Sequence, residues 1–418
     1  MSASLLPLLS HAVIYRNGRP KGTPVPAPAT PTPDRAAHDA NDMAMEAGML
    51  HPKGPNLVPT ANAVVGACWE GTKWTCARSS LMANPIDNIH VDWPYRLVGA
   101  PVDVWLWWAP HHRNWEEWRY LPVLMTIASA LSRRNYSVAY TDASRTRDDI
   151  VAEVVRHGSP VVVLFGYWNA VPGTREIVSR AVAKGAHLVL YNSEPLGVLY
   201  NRQPLAHNKH ILATKELYNA SELWDYSLAN LEWLRPHVQL TLRHVPPSYV
   251  PDFDLGVQAT RRGVGVVGTR PPPKTYAQNT ALLWHNVTQA ELQTWADMRQ
   301  FLTTHPLQLV FHRVPQGNLC PFEAFRGAVL ASNRACIVAQ DSHPLDQHYW
   351  AGIVHFAPTP ADLPRIVNRF MSDPALLADC QALTYNAFVT NHTATAALEQ
   401  AGVLNLLTRR IQKYRPPK

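Results

Sequence analysis

Two parallel α/β sheets facing each other across a cleft are the fold class this sequence predicts, and three observations carry it. Short apolar strands alternate with amphipathic helices from Val102 onward, a proline-marked break at Pro246, Pro247 and Pro251 interrupts that alternation, and a second series opens at Gly263. Alternation of strand and helix at this spacing implies crossover connections and therefore parallel strands. The length of 418 residues, 46% of them apolar, suits two cores, because single cores rarely grow beyond about 250–300 residues.

Ten of the first sixty residues are proline, and proline is excluded from helix interiors and central strands, so residues 1–60 are expected to form a disordered Pro/Ala-rich arm. Residues 61–96 read as an irregular packed segment around Trp69, Trp74 and Trp93. An N-terminal Rossmann-like domain, 97–250, is expected to carry strands at 102–108, 137–141, 160–165, 187–191, 210–214 and 239–242. Its helices fall at 116–133, 147–157, 174–184 and 221–234, wherever apolar residues recur at helical instead of alternating spacing. The prolines at 246–251 read as an interdomain hinge.

The C-terminal Rossmann-like domain, 251–395, opens on the strand 263–268 and continues with a helix at 289–302 and a strand at 307–312. A helix carrying Glu323 and Arg326 follows, then a buried strand at 335–339, a polar loop with Asp341, Asp346 and Tyr349, a strand at 353–356 and an amphipathic helix from Ala361. Helices at 374–389 and 394–414 close the chain and are placed to cross back to the first domain. Residues 396–418 form a C-terminal helix and basic tail.

The formal charge of +7 favours anionic partners, which keeps nucleotide diphosphates, nucleic acid and acidic membrane surfaces in view. The charge is diffuse: Arg133-Arg134, Arg261-Arg262 and Arg409-Arg410 are pairs, not a basic block. The five cysteines, Cys68, Cys76, Cys320, Cys336 and Cys380, are odd in number and scattered, which argues against a disulfide framework and a structural zinc site. Cys336, inside an apolar strand, is expected to be a small buried hydrophobe. No apolar run approaches the roughly 18 residues of a membrane span, so no integral membrane segment is expected and the chain is read as cytoplasmic.

In open α/β sheets ligands bind beyond the carboxyl ends of the strands, and the polar residues of the C-terminal domain gather there. Glu323 and Arg326, three apart on a helix, put a hydroxyl-accepting carboxylate beside a phosphate-holding guanidinium. Gly263-x-Gly-x2-Gly268 spells a dinucleotide-like pattern, but its glycines lie within the strand and no acidic residue stands at the usual distance. A nicotinamide cofactor is therefore not expected. Gly268 instead lets the backbone and Arg270 approach a diphosphate, with an ordinary exposed loop arginine as the alternative.

His111 and His112 follow the first strand. Either suits a general base, and the competing reading is a helix N-terminus capped by Asn114 with Glu117 three residues on. Metal binding is disfavoured, because adjacent side chains on extended backbone point opposite ways. Glu194 follows the strand 187–191 and precedes Pro195. Asp225, between Trp224 and Tyr226, reads as structural. Trp105 and Trp107 share one strand face and belong to the core, whereas Trp115 and Trp118 have the better claim to the cleft.

Phe322, Glu323, Arg326, Asp341, Ser342, Tyr349, Phe356 and Leu363 spell FE-x2-R … D/E-S … Y … F … L. With Tyr191-Asn192-Ser193-Glu194-Pro195, and Leu223-Trp224-Asp225-Tyr226-Ser227 followed by Asn230, this pattern over residues 97–395 resembles the GT-B glycosyltransferases, more closely a group common in large viruses and microbes. Ala331 stands where the second glutamate of the retaining-enzyme pair would fall, which leaves retention or inversion open. The resemblance implies transfer of a sugar, a hexose being the expected kind, from a nucleotide-diphosphate donor without bound metal or cofactor. It places Glu323, Arg326, Arg270, Asp341 and Tyr349 at the donor, and His111, His112 and Glu194 toward an acceptor that is a glycan, a protein or a small molecule. The alternative is a non-catalytic sugar-nucleotide or nucleic-acid binding module on the same fold.

Overall fold

The computed structural model describes residues 102–109, 117–142, 151, 160–170, 173–197, 199–200, 203–204, 218–260, 263–267, 287–290, 295–312, 320–359 and 361–414. The arm at 1–60, the segment at 61–96, most of the helix at 147–157, the strand at 210–214, and His111, His112, Trp115 and Arg270 lie outside these residues.

The first domain comprises β1 (Val104–Trp108), α1 (Glu117–Ser132), β2 (Val138–Asp142), β3 (Val161–Phe165), α2 (Thr174–Ala183), β4 (His187–Asn192), a small antiparallel pair β5 (Leu199–Tyr200) and β6 (Gln203–Pro204), β7 (Glu222–Asp225), α3 (Leu228–Leu234) and β8 (Thr241–His244). Its sheet runs β2-β1-β3-β4-β7-β8 with every pairing parallel. Both faces are covered, as buried parallel sheets require. Val104, Leu106 and Trp108 enter the core shared with α1, while Trp105 and Trp107 enter the opposite core with Val162 and Leu164. That split is the period-two geometry of a strand.

The second domain comprises β9 (Val264–Val267), β10 (Val287–Ala290), α4 (Trp295–Thr304), β11 (Leu307–Val310), α5 (Ala324–Ser332), β12 (Cys336–Gln340), α6 (Pro344–Tyr349), β13 (Val354–Ala357), α7 (Asp362–Ser372), α8 (Pro374–Asn391), α9 (Ala394–Gln400) and α10 (Val403–Tyr414). Its parallel sheet runs β10-β9-β11-β12-β13.

Several expectations need correction. The helix expected at 221–234 is a strand followed by a short helix. Leu223 and Trp224 bury into opposite cores while β7 pairs between β4 and β8, and this tertiary pairing overrides the local helical spacing. Ser227 then caps α3, its Oγ accepting from the Asn230 N–H at 3.2 Å. The stretch 289–302 likewise divides into the end of β10 and α4, and the polar loop after β12 is largely the helix α6. The helix expected at 394–414 breaks at Gly402, whose φ of +69° suits glycine at a helix end. Cys336 is not a free hydrophobe: it forms a disulfide with Cys380, joining β12 to α8.

The C-terminal helices return to the first domain. α9 packs on α1, Glu399 pairs with Arg134, Tyr136 Oη bonds Thr408 Oγ1 at 2.9 Å, and Arg243 donates to the Ala401 carbonyl at 2.7 Å. The outgoing and returning chains meet where the Tyr249 N–H donates to His392 O (2.7 Å) and the Ala394 N–H to Tyr249 O (3.2 Å). Beside them Ser248 N–H donates to Thr126 Oγ1 at 2.9 Å.

Tyr349 belongs to this junction. Its ring lies edge-on to His244 and to His392, both at 4.7 Å, and burial pushes its phenol well up. Burial also lowers both imidazoles to about 4. Against an ordinary histidine value near 6.5, the unfolded chain binds more protons between pH 6.5 and 4, so stability falls as pH drops through that window. His392→Phe keeps a ring against Trp350 and Phe388 and removes one titrating group. Urea unfolding followed against pH should show a shallower acid loss in that variant, and an unchanged slope would contradict the assignment.

Candidate active site

In the second sheet the chain starts at β9 and places β10 on one side and β11 on the other, so the strand order reverses between β9 and β11. Ligands in open α/β sheets bind at such a reversal. His312, two residues past β11, marks its carboxyl edge and is buried. Its N–H donates to Gln340 Oε1 at 3.1 Å, and its Nε2 lies 3.0 Å from the Asp341 carbonyl and 2.9 Å from Ser342 Oγ. Glu323, Arg326 and Asp341 all lie within electrostatic reach of this imidazole, which burial above all holds below the usual histidine value and hence neutral. Three of the expected donor residues thus act electrostatically on a histidine that sequence reasoning read only as the end of a strand.

Glu323 stands at the N-cap of α5, one residue before the helix, and its side chain makes no capping bond. Arg326 lies in the first turn of the helix, and the turn that leads into α5 positions Glu323. That turn is fixed by packing. The Phe322 ring is buried against Trp350 (5.0 Å) and Phe356 (5.5 Å). Gly327 leaves room for it, since a Cβ there would stand 2.5 Å from Phe322 Cε1. Gly327→Ala is expected to cost about 1–3 kcal/mol through this overpacking; a denaturation midpoint equal to that of the parent would contradict it. Asp341 is held on the other side by Gln347, whose Nε2 donates to Oδ1 at 2.7 Å.

Across from this group stands Glu194, beyond the end of β4. Asn192 and Asn230 both donate to its carbonyl, at 2.8 and 2.9 Å, and the Tyr120 hydroxyl donates to its Oε1 at 3.0 Å. Tyr120 in turn packs on Trp108 from β1 and on Phe325 from α5. Tyr226, its phenol raised chiefly by burial, feels both Glu323 and Glu194. Carboxylates from the two domains therefore both act electrostatically on Tyr226.

Asp225 is structural. Fully buried, which pushes its carboxyl well up, it accepts from Asn192 Nδ2 (2.6 Å), Asn230 Nδ2 (2.9 Å) and the Ser227 N–H (2.8 Å). The two motifs around Glu194 and Asp225 thus form one network that fixes the Glu194 backbone. Asp346 ties it to the second domain, accepting from Ser227 Oγ (2.7 Å), the Leu228 N–H (2.9 Å), the Ala229 N–H (3.3 Å) and the Phe322 N–H (2.9 Å). Of the expected donor residues, Tyr349 is placed instead at the junction with His244 and His392, while Arg270, His111 and His112 fall outside the described residues.

No protein-family model matches the chain, and no curated protein matches it at a significant level. Solved structures do match. An alpha-glucosyltransferase in complex with UDP and a 13-mer DNA containing an HMU base aligns with a TM-score of 0.51 at 9% identity, over 73% of this chain and 100% of that one. HepE of Anabaena, in complex with UDP and glucose, aligns at 0.45 and 12% over 75% and 99%. The Gap123 glycosylation-associated complex of Streptococcus agalactiae aligns at 0.40 and 10% over 61% and 57%, so the chain spans little more than half of that protein. The likeness to the alpha-glucosyltransferase along its whole length shows the fold, two Rossmann-like α/β domains facing a cleft in the GT-B arrangement. Among the described residues no helix is long and apolar enough to cross a membrane.

Proposed function

We propose that this chain is a glycosyltransferase that moves a sugar, of hexosyl kind, from a nucleoside-diphosphate donor to a nucleophile on an acceptor. The observation that carries the reading is the buried His312 at the strand reversal of the second sheet, bonded to the Asp341 carbonyl and to Ser342 Oγ and within electrostatic reach of Glu323, Arg326 and Asp341, with Glu194 presented from the first domain.

In this reading the donor lies on the second domain. Glu323 accepts hydrogens from sugar or ribose hydroxyls, and Arg326, with Arg270 from the loop after β9, offsets the charge that grows on the leaving diphosphate. The acceptor oxygen forms its bond to the anomeric carbon as the carbon–oxygen bond to phosphate breaks, and the nucleoside diphosphate leaves with that electron pair. Glu194 takes up the acceptor proton, its carboxylate oriented by Tyr120, while His111 and His112 border the acceptor side.

A panel of sugar nucleotides tests this. The correct donor at about 100 times its dissociation constant should add roughly 2.7 kcal/mol of stability and should be turned over to nucleoside diphosphate slowly in water and faster with an acceptor. Glycans, proteins, small molecules and DNA are the acceptor classes to screen; DNA is included because the net charge of +7 suits an anionic partner. Stabilisation without release of diphosphate would make the chain a binding module, and neither response to any donor would overturn the reading.

A further inference from the structure

Three side chains converge at the end of β12 opposite to Asp341. Cys336 opens β12, His355 lies on β13 and Cys380 on α8. His355 is registered against Val338, two positions from Cys336, so both point to the same face of the sheet; the imidazole packs on Phe370 of α7 at 5.0 Å. The two sulfurs and an imidazole nitrogen all lie within 4.8 Å of one another, with the sulfurs buried and His355 exposed. The sulfurs are joined, across Cα atoms 5.4 Å apart.

We propose that Cys336, Cys380 and His355 form a redox-gated Zn2+ site, closed to metal as the disulfide and open to it as the dithiol. A dithiol reductant supplies two electrons and two protons, becoming a disulfide itself while Cys336 and Cys380 become thiols. Zn2+ then displaces two protons and bonds both thiolates and the neutral imidazole. Two thiolates and an imidazole are a donor set that suits zinc. Zinc–ligand distances of about 2.3 Å to sulfur and about 2.0–2.1 Å to nitrogen in tetrahedral geometry place ligand atoms about 3.5–3.8 Å apart, inside the span found here. The sulfurs need only separate, and water completes the shell from the exposed side of His355. Either state links β12 to α8, the helix that leads into the junction at His392.

The full-length chain, reduced with dithiothreitol and freed of it without air, is titrated with Co2+ and then Zn2+. The reduced protein should bind one Co2+ with a thiolate-to-cobalt charge-transfer band that Zn2+ abolishes, and the oxidised protein should show no band. Cys336→Ser and Cys380→Ser should lose the band, His355→Phe should weaken Co2+ binding by at least about tenfold, and Cys320→Ser should retain it. A reduced chain without the band overturns the proposal. So does a band that survives in the Cys336→Ser, Cys380→Ser double variant, which would assign it to Cys68, Cys76 or Cys320.

Discussion

Asp346→Ala is expected to lower the free energy of unfolding by about 3–5 kcal/mol, because the variant strands buried donors from two domains at once. One carboxylate accepts from Ser227, Leu228, Ala229 and Phe322, and a hydrogen bond to a charged group contributes roughly 1.5–3 kcal/mol. The four do not simply add. Burial raises the Asp346 carboxyl, so desolvation offsets part of the gain. Asp346→Asn, with a single acceptor oxygen, should fall between the alanine variant and the parent. Urea unfolding measures all three, and an alanine variant within 1 kcal/mol of the parent, on the order of an ordinary surface change, would show that the two domains are not joined here. Because the same carboxylate fixes both the turn at Phe322 and the start of α3, activity should fall with stability.

Much of this architecture is legible in the sequence, for identifiable reasons. The strands β1 and β3 are apolar runs of largely β-branched or aromatic residues, β4 and β12 are mostly apolar, and all four are buried on both faces, so their sequences leave little alternative. β7 is the instructive failure. Its Glu222 and Asp225 spoil the apolar run, and both are tolerated inside the sheet because specific donors satisfy them: Arg243 (2.6 Å) and Trp224 Nε1 (2.9 Å) for Glu222, and Asn192, Asn230 and Ser227 for Asp225. Those donors come from up to 33 positions away, beyond any local pattern. The Cys336–Cys380 disulfide, 44 residues apart in the chain, carries no spacing signature either. At the candidate site, Glu323, Arg326 and Asp341 stand out by residue type, whereas His312 is hidden by its place at the end of a strand and Tyr120 by its place in a helix.

Glu323→Gln is expected to weaken donor binding or turnover by about ten- to a hundredfold, the loss of roughly 1.5–3 kcal/mol that removing a charge-assisted hydrogen bond entails. The fold should be unaffected, since the Glu323 side chain makes no capping bond to α5 and the turn around it is held by Phe322 and Asp346. The substitution keeps shape and volume, so a functional loss cannot be attributed to packing. Arg326, sharing the reach of His312, should show its own loss mainly in donors that carry a diphosphate.

The most direct test of the central claim is the dissociation constant of the best-stabilising sugar nucleotide, measured by calorimetry for the parent and Glu323→Gln, with the thermal midpoint of each recorded alongside. The account predicts a ten- to hundredfold weaker constant at an unchanged midpoint. Equal affinity in the two proteins would remove Glu323 from the site and contradict the placement of the donor on the second domain.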